Sequence, residues 1–388
     1  MTRPGDAPSS GGGDGARRSR AAATSPSVSA DALRRLADRL SVEAHAALER
    51  RGVSALTYME VCGTHTMAIA RFGLRDLLPS GMRLISGPGC PVCVTATADL
   101  DKAVALARLP EVTLTTFGDL VRVPASRSSL AAARAAGADV RVVYSARDAV
   151  EIAAAEPDRQ VVFAGIGFET TAPTVAAALL EAQARGLSNF CVLSMHKTMP
   201  LALKALLELG ETDITGFILP GHVSVVTGSG CYEFLAREYG VGGAIAGFEA
   251  YDVLQALLLL VRQTEPAITI EYGRAVRPEG NVVAQRLMAQ VFEPCDADWR
   301  GLGVIPGSGL RIRDGFAAFD AERRFTVDAG EPLEPTGCRC GEVLRGVLDP
   351  AACGLFGRRC TPEDPIGACM VSSEGACAAR YRYRGIDD

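Results

Sequence analysis

From Asp31 onward, stretches with helical periodicity alternate with short apolar runs that are rich in β-branched residues. This alternation is typical of βα units, in which a helix returns the chain to the next parallel strand. The sequence therefore predicts an α/β fold with two Rossmann-like parallel-sheet α/β domains, followed by a C-terminal cysteine-rich region. The predicted strands are Thr57–Val61, Arg83–Ser86, Val112–Thr116, Val140–Ser145, Val161–Gly165, Phe190–Met195 and Ile214–Leu219.

The length of 388 residues exceeds what one hydrophobic core usually supports, which favours two or three packed units. Residues 1–30 are rich in Gly, Ser, Ala and Arg without periodic apolar positions, so we expect a disordered lead-in there. A weak boundary near residue 150 predicts one α/β domain over 31–150 and a second over 151–270. Beyond 270 the periodicity fades and cysteines cluster, so residues 271–388 are predicted to form a small unit held by metal.

Charge and hydropathy argue against several classes of protein. A net charge of -5 without a long basic stripe disfavours nucleic acid or an anionic membrane as the main partner. The most apolar run, Ala256–Val261, is far shorter than the roughly 20 residues that span a bilayer. The N-terminal residues contain no apolar stretch of the kind that a secretion signal requires. We therefore predict a cytoplasmic protein.

Unusual residues follow five of the predicted strands at their carboxyl ends, where ligands bind in open α/β sheets. Ordinary turns and helix caps explain any one of these loops about as well as a function does. Because three of the four histidines and three cysteines occur there, a shared site is the better hypothesis for the set. The loops begin with Cys62-Gly63-Thr64-His65-Thr66, Gly87-Pro88-Gly89-Cys90-Pro91-Val92-Cys93, Ile166-Gly167-Phe168-Glu169, His196-Lys197-Thr198 and Pro220-Gly221-His222.

Cys90 and Cys93 form a Cys-x-x-Cys pair just before a predicted helix that starts near Thr97. A helix N-terminus stabilises thiolates, and such a pair can cycle between dithiol and disulfide. The spacing also suits half of a zinc site, but no second Cys-x-x-Cys occurs in the sequence. Redox or iron chemistry is therefore favoured over structural zinc.

Cys62 also precedes a predicted helix, Met67–Leu77, so its thiolate is expected to be accessible and soft enough for iron. A buried, inert cysteine is the alternative. His65 is a candidate to hydrogen-bond that thiolate or ligate metal, with a structural role almost as well supported. Glu169 is a candidate proton acceptor, or simply a carboxylate at a helix start.

Half of the twelve cysteines fall in the last fifty or so residues: Cys338, Cys340, Cys353, Cys360, Cys369 and Cys377. Reducing cytosol disfavours structural disulfides, so metal or redox chemistry is the expected use. Four thiolates are what a [4Fe-4S] cluster needs. The spacing matches neither the ferredoxin run nor a standard zinc ribbon, so it leaves the metal open.

A set of motifs resembles the HypD family from about residue 31 to the end of the chain. The N-terminal half contributes Met59-Glu60-Val61-Cys62-Gly63, the Gly87–Cys93 loop, Gly167-Phe168-Glu169-Thr170-Thr171-Ala172-Pro173 and Pro220-Gly221-His222-Val223-Ser224. The tail contributes Cys338-Arg339-Cys340-Gly341, Leu355-Phe356-Gly357, Cys360-Thr361-Pro362 and Cys369-Met370-Val371-Ser372-Ser373-Glu374-Gly375-Ala376-Cys377. Thr64 and Met67 depart from the Gly and His that many members carry, so that loop has no second histidine.

The resemblance implies two α/β domains plus a C-terminal iron-sulfur region. It implies that Cys62 holds iron shared with the small chaperone HypC, and that Cys90 and Cys93 act as a redox dithiol or as additional iron ligands. Cys340, Cys353, Cys360 and Cys369 are implied to hold a [4Fe-4S] cluster.

The function implied by the resemblance is assembly of the Fe(CN)2CO group of [NiFe]-hydrogenases together with HypC and HypE, which delivers cyanide equivalents. Such a protein is a maturation scaffold with redox-active thiols rather than a conventional turnover enzyme. The alternative function is a thiol-disulfide oxidoreductase that uses Cys90 and Cys93 and carries a structural zinc module in its tail.

Overall fold

The structure, a computed structural model, describes residues 29–384. The predicted lead-in, residues 1–30, lies outside the described residues except for its last two. Ser29 accepts a hydrogen bond from the Ala32 backbone N–H and caps the first helix, which begins at Ala30.

Eleven strands form two parallel sheets and one antiparallel hairpin in the described residues. They are β1 (Leu56–Glu60), β2 (Met82–Ser86), β3 (Val112–Thr116), β4 (Asp139–Val142), β5 (Gln160–Gly165), β6 (Phe190–Ser194), β7 (Gly216–Pro220), β8 (Gly242–Ala246), β9 (Ile268–Ile270), β10 (Phe292–Trp299) and β11 (Gly303–Ile312).

Helices precede, connect and follow the parallel strands. They are α1 (Ala30–Arg51), α2 (Gly63–Arg71), α3 (Pro91–Val94), α4 (Thr97–Ala107), α5 (Gly118–Val121), α6 (Leu130–Ala135), α7 (Ala146–Ala155), α8 (Ala172–Ala184), α9 (Met199–Leu209), α10 (Gly221–Thr227), α11 (Glu233–Tyr239), α12 (Ala250–Arg262), α13 (Val282–Val291), α14 (Ala321–Arg324), α15 (Cys340–Leu344), α16 (Ala368–Val371) and α17 (Ala376–Arg384). Short 3-10 turns cover Leu74–Leu77, Gly230–Tyr232, Asp314–Phe319 and Pro350–Ala352.

The first sheet is discontinuous in sequence. Its strand order is β2-β1-β7-β8-β9, whereas the second sheet, β4-β3-β5-β6, lies entirely between β2 and β7 in the chain. The predicted α/β class with two parallel sheets is confirmed. The predicted boundary near residue 150 falls inside the second sheet, because β3 pairs with β4 before it and with β5 after it. The limits 31–150 and 151–270 therefore do not follow the two sheets.

Every predicted strand overlaps a strand of the structure, and β3 has the predicted bounds. Sequence analysis missed β8, β9 and the hairpin of β10 and β11. β8 reads Gly-Gly-Ala-Ile-Ala, which has little of the β-branched character that marks a strand. The hairpin contains two prolines and several glycines, which are typical of loops.

The region 271–388 does not form a single unit. The hairpin packs on the second sheet: the Thr198 backbone N–H donates to the Ser308 carbonyl over 2.8 Å, and the Leu310 N–H donates to the His196 carbonyl over 3.1 Å. The hairpin's Trp299 is fully buried in the core that the two sheets share. The cysteine-rich tail instead packs α17 against α2 and α16 against α3, beside the first sheet.

The order of the first sheet places three carboxyl ends side by side. Glu60, the last residue of β1, pairs with Ser86 at the end of β2 and with Ile218 in β7. Because parallel strands share a direction, the loops that follow them emerge at one edge of the sheet. The residues that follow β1, β2 and β7 are therefore neighbours in space.

The close approach of the first two loops yields a testable prediction. A Cβ at Gly89 would lie 2.1 Å from the Cys62 backbone nitrogen, an overlap that only backbone movement relieves. Gly89→Ala should lower the free energy of unfolding by about 2–3 kcal/mol. Gly315→Ala is the matched control, since a Cβ there meets no atom within 4 Å. Urea denaturation of both variants measures the difference, and equal losses would contradict the packing.

Candidate functional site

Two thiol loops meet at the edge of the first sheet. The Gly63 backbone N–H donates to the Gly89 carbonyl oxygen over 2.9 Å, which ties the Cys62 loop to the loop that carries Cys90 and Cys93. Gly89 can lie against Cys62 only because it has no side chain. The structure thus brings together cysteines from the ends of β1 and β2.

Cys62 is the N-cap residue of α2, which begins four residues earlier than predicted. Its side chain is only 9% exposed, so the expectation of an accessible thiolate is wrong for this structure. Burial raises the pKa of the Cys62 thiol to about 12, although hydrogen bonds from the backbone N–H groups of His65 and Thr64 act in the opposite direction. The N-terminus of α2 favours the Cys62 thiolate, but desolvation raises the pKa of the thiol by more than the helix terminus lowers it.

Cys90 and Cys93 are joined by a disulfide. Cys90 is the N-cap residue of the short helix α3, and its sulfur accepts a hydrogen bond from the Cys93 backbone N–H over 3.2 Å. Cys93 is fully buried and Cys90 is 4% exposed. In this form the pair offers no thiolate to a metal, so iron binding at these sulfurs requires prior reduction.

His65 takes part in an aromatic stack rather than in a bond to the Cys62 sulfur. Its Nε2–H donates to the Gly247 carbonyl oxygen over 2.9 Å, and its ring stacks on Phe248 at 4.9 Å. Phe248 also stacks on His222 at 3.9 Å. Burial lowers the pKa of His65 to about 4, which keeps the imidazole neutral. His222 is the solvent-exposed member of this stack.

Glu60 is a buried residue that sequence analysis did not assign to the site. It accepts hydrogen bonds from the Thr66 hydroxyl over 2.7 Å and from the Cys62 backbone N–H over 3.2 Å. Burial raises its pKa to about 7. A carboxylate at the end of a buried strand, two residues before Cys62, was the available signal, since isolated carboxylates are rarely buried without a purpose.

His196 and Glu169 belong to the other half of the molecule. His196 Nδ1 lies 3.1 Å from the Ser194 hydroxyl, and its ring contacts Phe292 of the hairpin. Glu169 accepts a hydrogen bond from the Met199 backbone N–H over 3.1 Å, and burial raises its pKa to about 7. The hypothesis of one site containing His65, His196 and His222 is therefore wrong for His196, whose contacts lie in the second sheet and the hairpin.

All six cysteines of the tail line one small cavity: Cys338, Cys340, Cys353, Cys360, Cys369 and Cys377. Hydrogen bonds from the Cys338 and Cys369 thiols hold the pKa of Cys340 well below its usual range. A thiolate that is stabilised by two neighbouring thiols is the donor chemistry that iron favours. The four cysteines implied by the resemblance, Cys340, Cys353, Cys360 and Cys369, are among the six.

The cysteine thiols that line the cavity are the donors that an iron–sulfur cluster requires, but their spacing in this structure is not that of a metal centre. Among residues 29–384, no three Cys, His, Asp or Glu side chains are arranged as a metal centre. The cavity measures about 20 Å³, which is room for about one water molecule. A cluster therefore fits only if the thiol side chains turn outward around it.

The tail also reaches both thiol loops of the first sheet. Cys93 Sγ lies 3.9 Å from the Ala368 carbonyl oxygen, one residue before Cys369. The Glu374 carboxylate accepts a hydrogen bond from the Thr64 hydroxyl over 2.7 Å. Three distant segments that carry thiols are thus connected by direct contacts at one edge of the sheet. These features define an α/β protein of two parallel sheets with a thiol-rich site at a sheet edge.

Comparison with known proteins identifies the family. The HypD family model, described as "Hydrogenase formation hypA family", matches residues 35–384. The chain belongs to the HypD family. It is 52% identical over 337 residues to a protein from Rhizobium leguminosarum bv. viciae named hydrogenase maturation factor HypD, covering 84% of this chain and 88% of that relative.

Two further relatives carry the same name. The protein from Azotobacter vinelandii is 49% identical over 360 residues, which cover 90% of this chain and 93% of the relative. The protein from Cupriavidus necator is 48% identical over 364 residues, which cover 91% of this chain and 96% of the relative.

Among the helices that the structure describes, none has the length and apolar character needed to cross a membrane.

The raised pKa of Glu169 predicts that the stability of the protein depends on pH. Its pKa is about 7 in the folded chain against an ordinary value of 4.5. Because the folded chain holds this proton to a higher pH than the unfolded chain does, its contribution to stability is complete below pH 4.5 and is lost as the pH rises through 7. Between about pH 5 and about pH 8, the free energy of unfolding should fall by up to about 3 kcal/mol more in the wild type than in Glu169→Gln.

Urea denaturation at a series of pH values measures this difference. Glu363→Gln, at an exposed position, is the matched control and should keep the wild-type slope. Parallel curves for the wild type and Glu169→Gln would show that Glu169 is not protonated in the folded chain near neutral pH.

Proposed function

We propose that this protein is a hydrogenase maturation factor that serves as scaffold and redox partner in assembling the Fe(CN)2CO group of [NiFe]-hydrogenases. The names of its relatives support a role in hydrogenase maturation. The single observation that carries the finer proposal is the meeting of Cys62, the Cys90–Cys93 pair and the tail cysteines at one edge of the first sheet.

Cys62 is the residue proposed to hold the iron group. It is not part of a disulfide, and iron with strong-field diatomic ligands suits thiolate coordination. Burial disfavours its thiolate in the chain alone, so iron binding and loss of the thiol proton occur together. His65, held neutral by burial and hydrogen-bonded to the Gly247 carbonyl oxygen, fixes the position of the aromatic stack at α2.

Cys90 and Cys93 are proposed to act as a redox dithiol. Reduction of their disulfide consumes two electrons and two protons, breaks the S–S bond and releases two thiols. Oxidation of the dithiol re-forms the S–S bond and releases two protons, and the two electrons cleave the bond between a cyano group and its carrier so that the group leaves as cyanide. The dithiol form also offers two sulfurs as additional ligands for iron.

The tail is proposed to hold a [4Fe-4S] cluster through Cys340, Cys353, Cys360 and Cys369. When bound, such a cluster supplies electrons one at a time. The contact between Cys93 and the Ala368 carbonyl, next to Cys369, supports transfer of electrons from the tail to this pair. The small chaperone HypC is the proposed partner that shares the iron group at Cys62, and HypE is the proposed source of cyanide equivalents.

The decisive experiment is anaerobic co-purification of the chain with HypC, followed by infrared spectroscopy. Bound CN and CO give separate bands in a window free of protein absorption. Their presence on the complex is the expected result. A complex that forms but shows no such bands would contradict the assignment of the Fe(CN)2CO group to this protein.

Substitution of Cys62 separates the scaffold from the alternative function. Cys62→Ala should abolish hydrogenase maturation and the infrared bands, because the proposed iron ligand is lost. Cys295→Ala is the matched control, since this cysteine lies in the hairpin outside the thiol edge. Hydrogenase activity in a strain that lacks the native factor measures both. Maturation that survives Cys62→Ala but is lost in Cys90→Ser would favour a thiol-disulfide oxidoreductase.

Metal analysis tests the tail. The anaerobically purified chain should be brown and contain about four irons in the cluster. Cys369→Ser should lower the iron content to less than half, whereas Cys295→Ser should leave it unchanged. A colourless protein that carries only zinc would favour a structural zinc module in its place.

A further inference from the structure

Cys62 is covered in this structure, yet the proposed function requires its sulfur to meet iron that a partner also holds. Its neighbours on the sheet side are fixed by backbone contacts, because Gly89 is hydrogen-bonded to Gly63 and lies against the Cys62 main chain. The neighbour from the other direction is Glu374, whose carboxylate lies close enough to act on the Cys62 thiol. Exposure of Cys62 therefore depends on the segment that carries Glu374.

Glu374 packs closely on the first turn of α2. A Cβ at Gly63 would lie 2.5 Å from Glu374 Cβ and 2.8 Å from its Oε2, so the close packing depends on glycine at 63. The other carboxylate oxygen accepts the hydrogen bond from the Thr64 hydroxyl over 2.7 Å. Both contacts involve residues that directly follow Cys62 in the chain.

Residues 372–375, which we call the cover segment, lie between the two thiol sites. On one side, a Cβ at Gly375 would lie 2.2 Å from the Cys369 carbonyl oxygen, so the segment packs tightly against the tail cavity. On the other side, Glu374 contacts Gly63 and Thr64. The Ser372 hydroxyl donates to Asp119 over 2.9 Å and accepts from the Glu374 backbone N–H over 3.3 Å.

The backbone of the cover segment is anchored on both sides. Gly375 is enclosed by backbone atoms of Cys369, and α17, which directly follows the segment, packs on α2. The Glu374 side chain is held by one hydroxyl–carboxylate hydrogen bond and by its packing on Gly63. Local opening follows the least-anchored attachment. The Glu374 side chain should therefore leave α2 while the backbone of the segment stays in place.

We propose that Glu374 is a positioning residue for Cys62: its hydrogen bond with Thr64 holds the Glu374 side chain against the first turn of α2, and release of this bond exposes Cys62 to an iron group carried by a partner. The inference rests on the proposed function for the role of the exposed cysteine. The contacts from which it is argued lie within this chain. Anchored beside Cys369, the cover segment makes access to Cys62 depend on the packing of the tail cavity.

Alkylation of the free chain by iodoacetamide, with peptides quantified by mass spectrometry, measures this opening. Thr64→Val removes the hydroxyl without changing the shape of the side chain. The rate of modification at Cys62 should rise about five-fold, the change expected when one hydrogen bond is lost from a local opening equilibrium. Thr64→Ser keeps the hydroxyl and should react at the wild-type rate.

Cys191 provides the internal reference, because it is 1% exposed in the core of the second sheet. Its modification rate should be the same in every variant. Glu374→Ala is a second test: it removes the cover side chain and should accelerate Cys62 at least as much as Thr64→Val does. An unchanged rate at Cys62 in both variants, or an equal rise at Cys191, would overturn the proposal.

The outcome is distinct from that of the functional experiments. Alkylation is measured without iron or partners, so it tests the cover alone. Absent infrared bands with the expected alkylation pattern would reject the scaffold and keep the cover. The opposite pattern, with bands present and no acceleration at Cys62, would keep the scaffold and reject Glu374 as its positioning residue.

Discussion

The hydrogen bond from Gly63 N–H to the Gly89 carbonyl is the constraint on which the thiol site depends. It joins the loops that follow two neighbouring parallel strands, and it forms only because Gly89 has no side chain to strike the Cys62 main chain. Strand order brings the loops to the same edge, and the two glycines bring them into contact. Cysteines that are separated in sequence thereby become neighbours.

Much of this arrangement was predictable from local sequence. β3 was predicted with its observed bounds, and β1 and β2 were predicted within one residue. The meeting of Cys62 with Cys90 and Cys93 follows from two adjacent parallel strands. The burial of Cys62 was not predictable, because Glu374, which lies 310 residues after Thr64, helps to cover it. β8 was missed for a different reason: a strand buried on both faces by tight packing can be built from Gly and Ala.

Burial sets the protonation of the site more than the helix termini do. Cys62 and Glu60 both have raised pKa values, and His65 has a lowered one, with desolvation as the largest cause in each case. At neutral pH Cys62 and His65 are consequently neutral, whereas Glu60, with a pKa of about 7, is about half protonated. Binding a cationic metal reverses this balance, since the ion stabilises a thiolate that the empty chain disfavours. In the proposed function, metal binding at this edge would therefore release protons in the same event.

The insertion of the second sheet into the first bears on how the protein is synthesised. β1 and β2 leave the ribosome early, but β7, which pairs with β1, follows only after the whole second sheet. Since domains usually fold as they emerge, the nascent chain must keep its first two strands without their partner while the inserted sheet forms. The tail emerges last. The thiols that follow β1 and β2 are uncovered during this interval and could meet a metal too early. The nascent N-terminal third is therefore the part of the chain that most needs a chaperone.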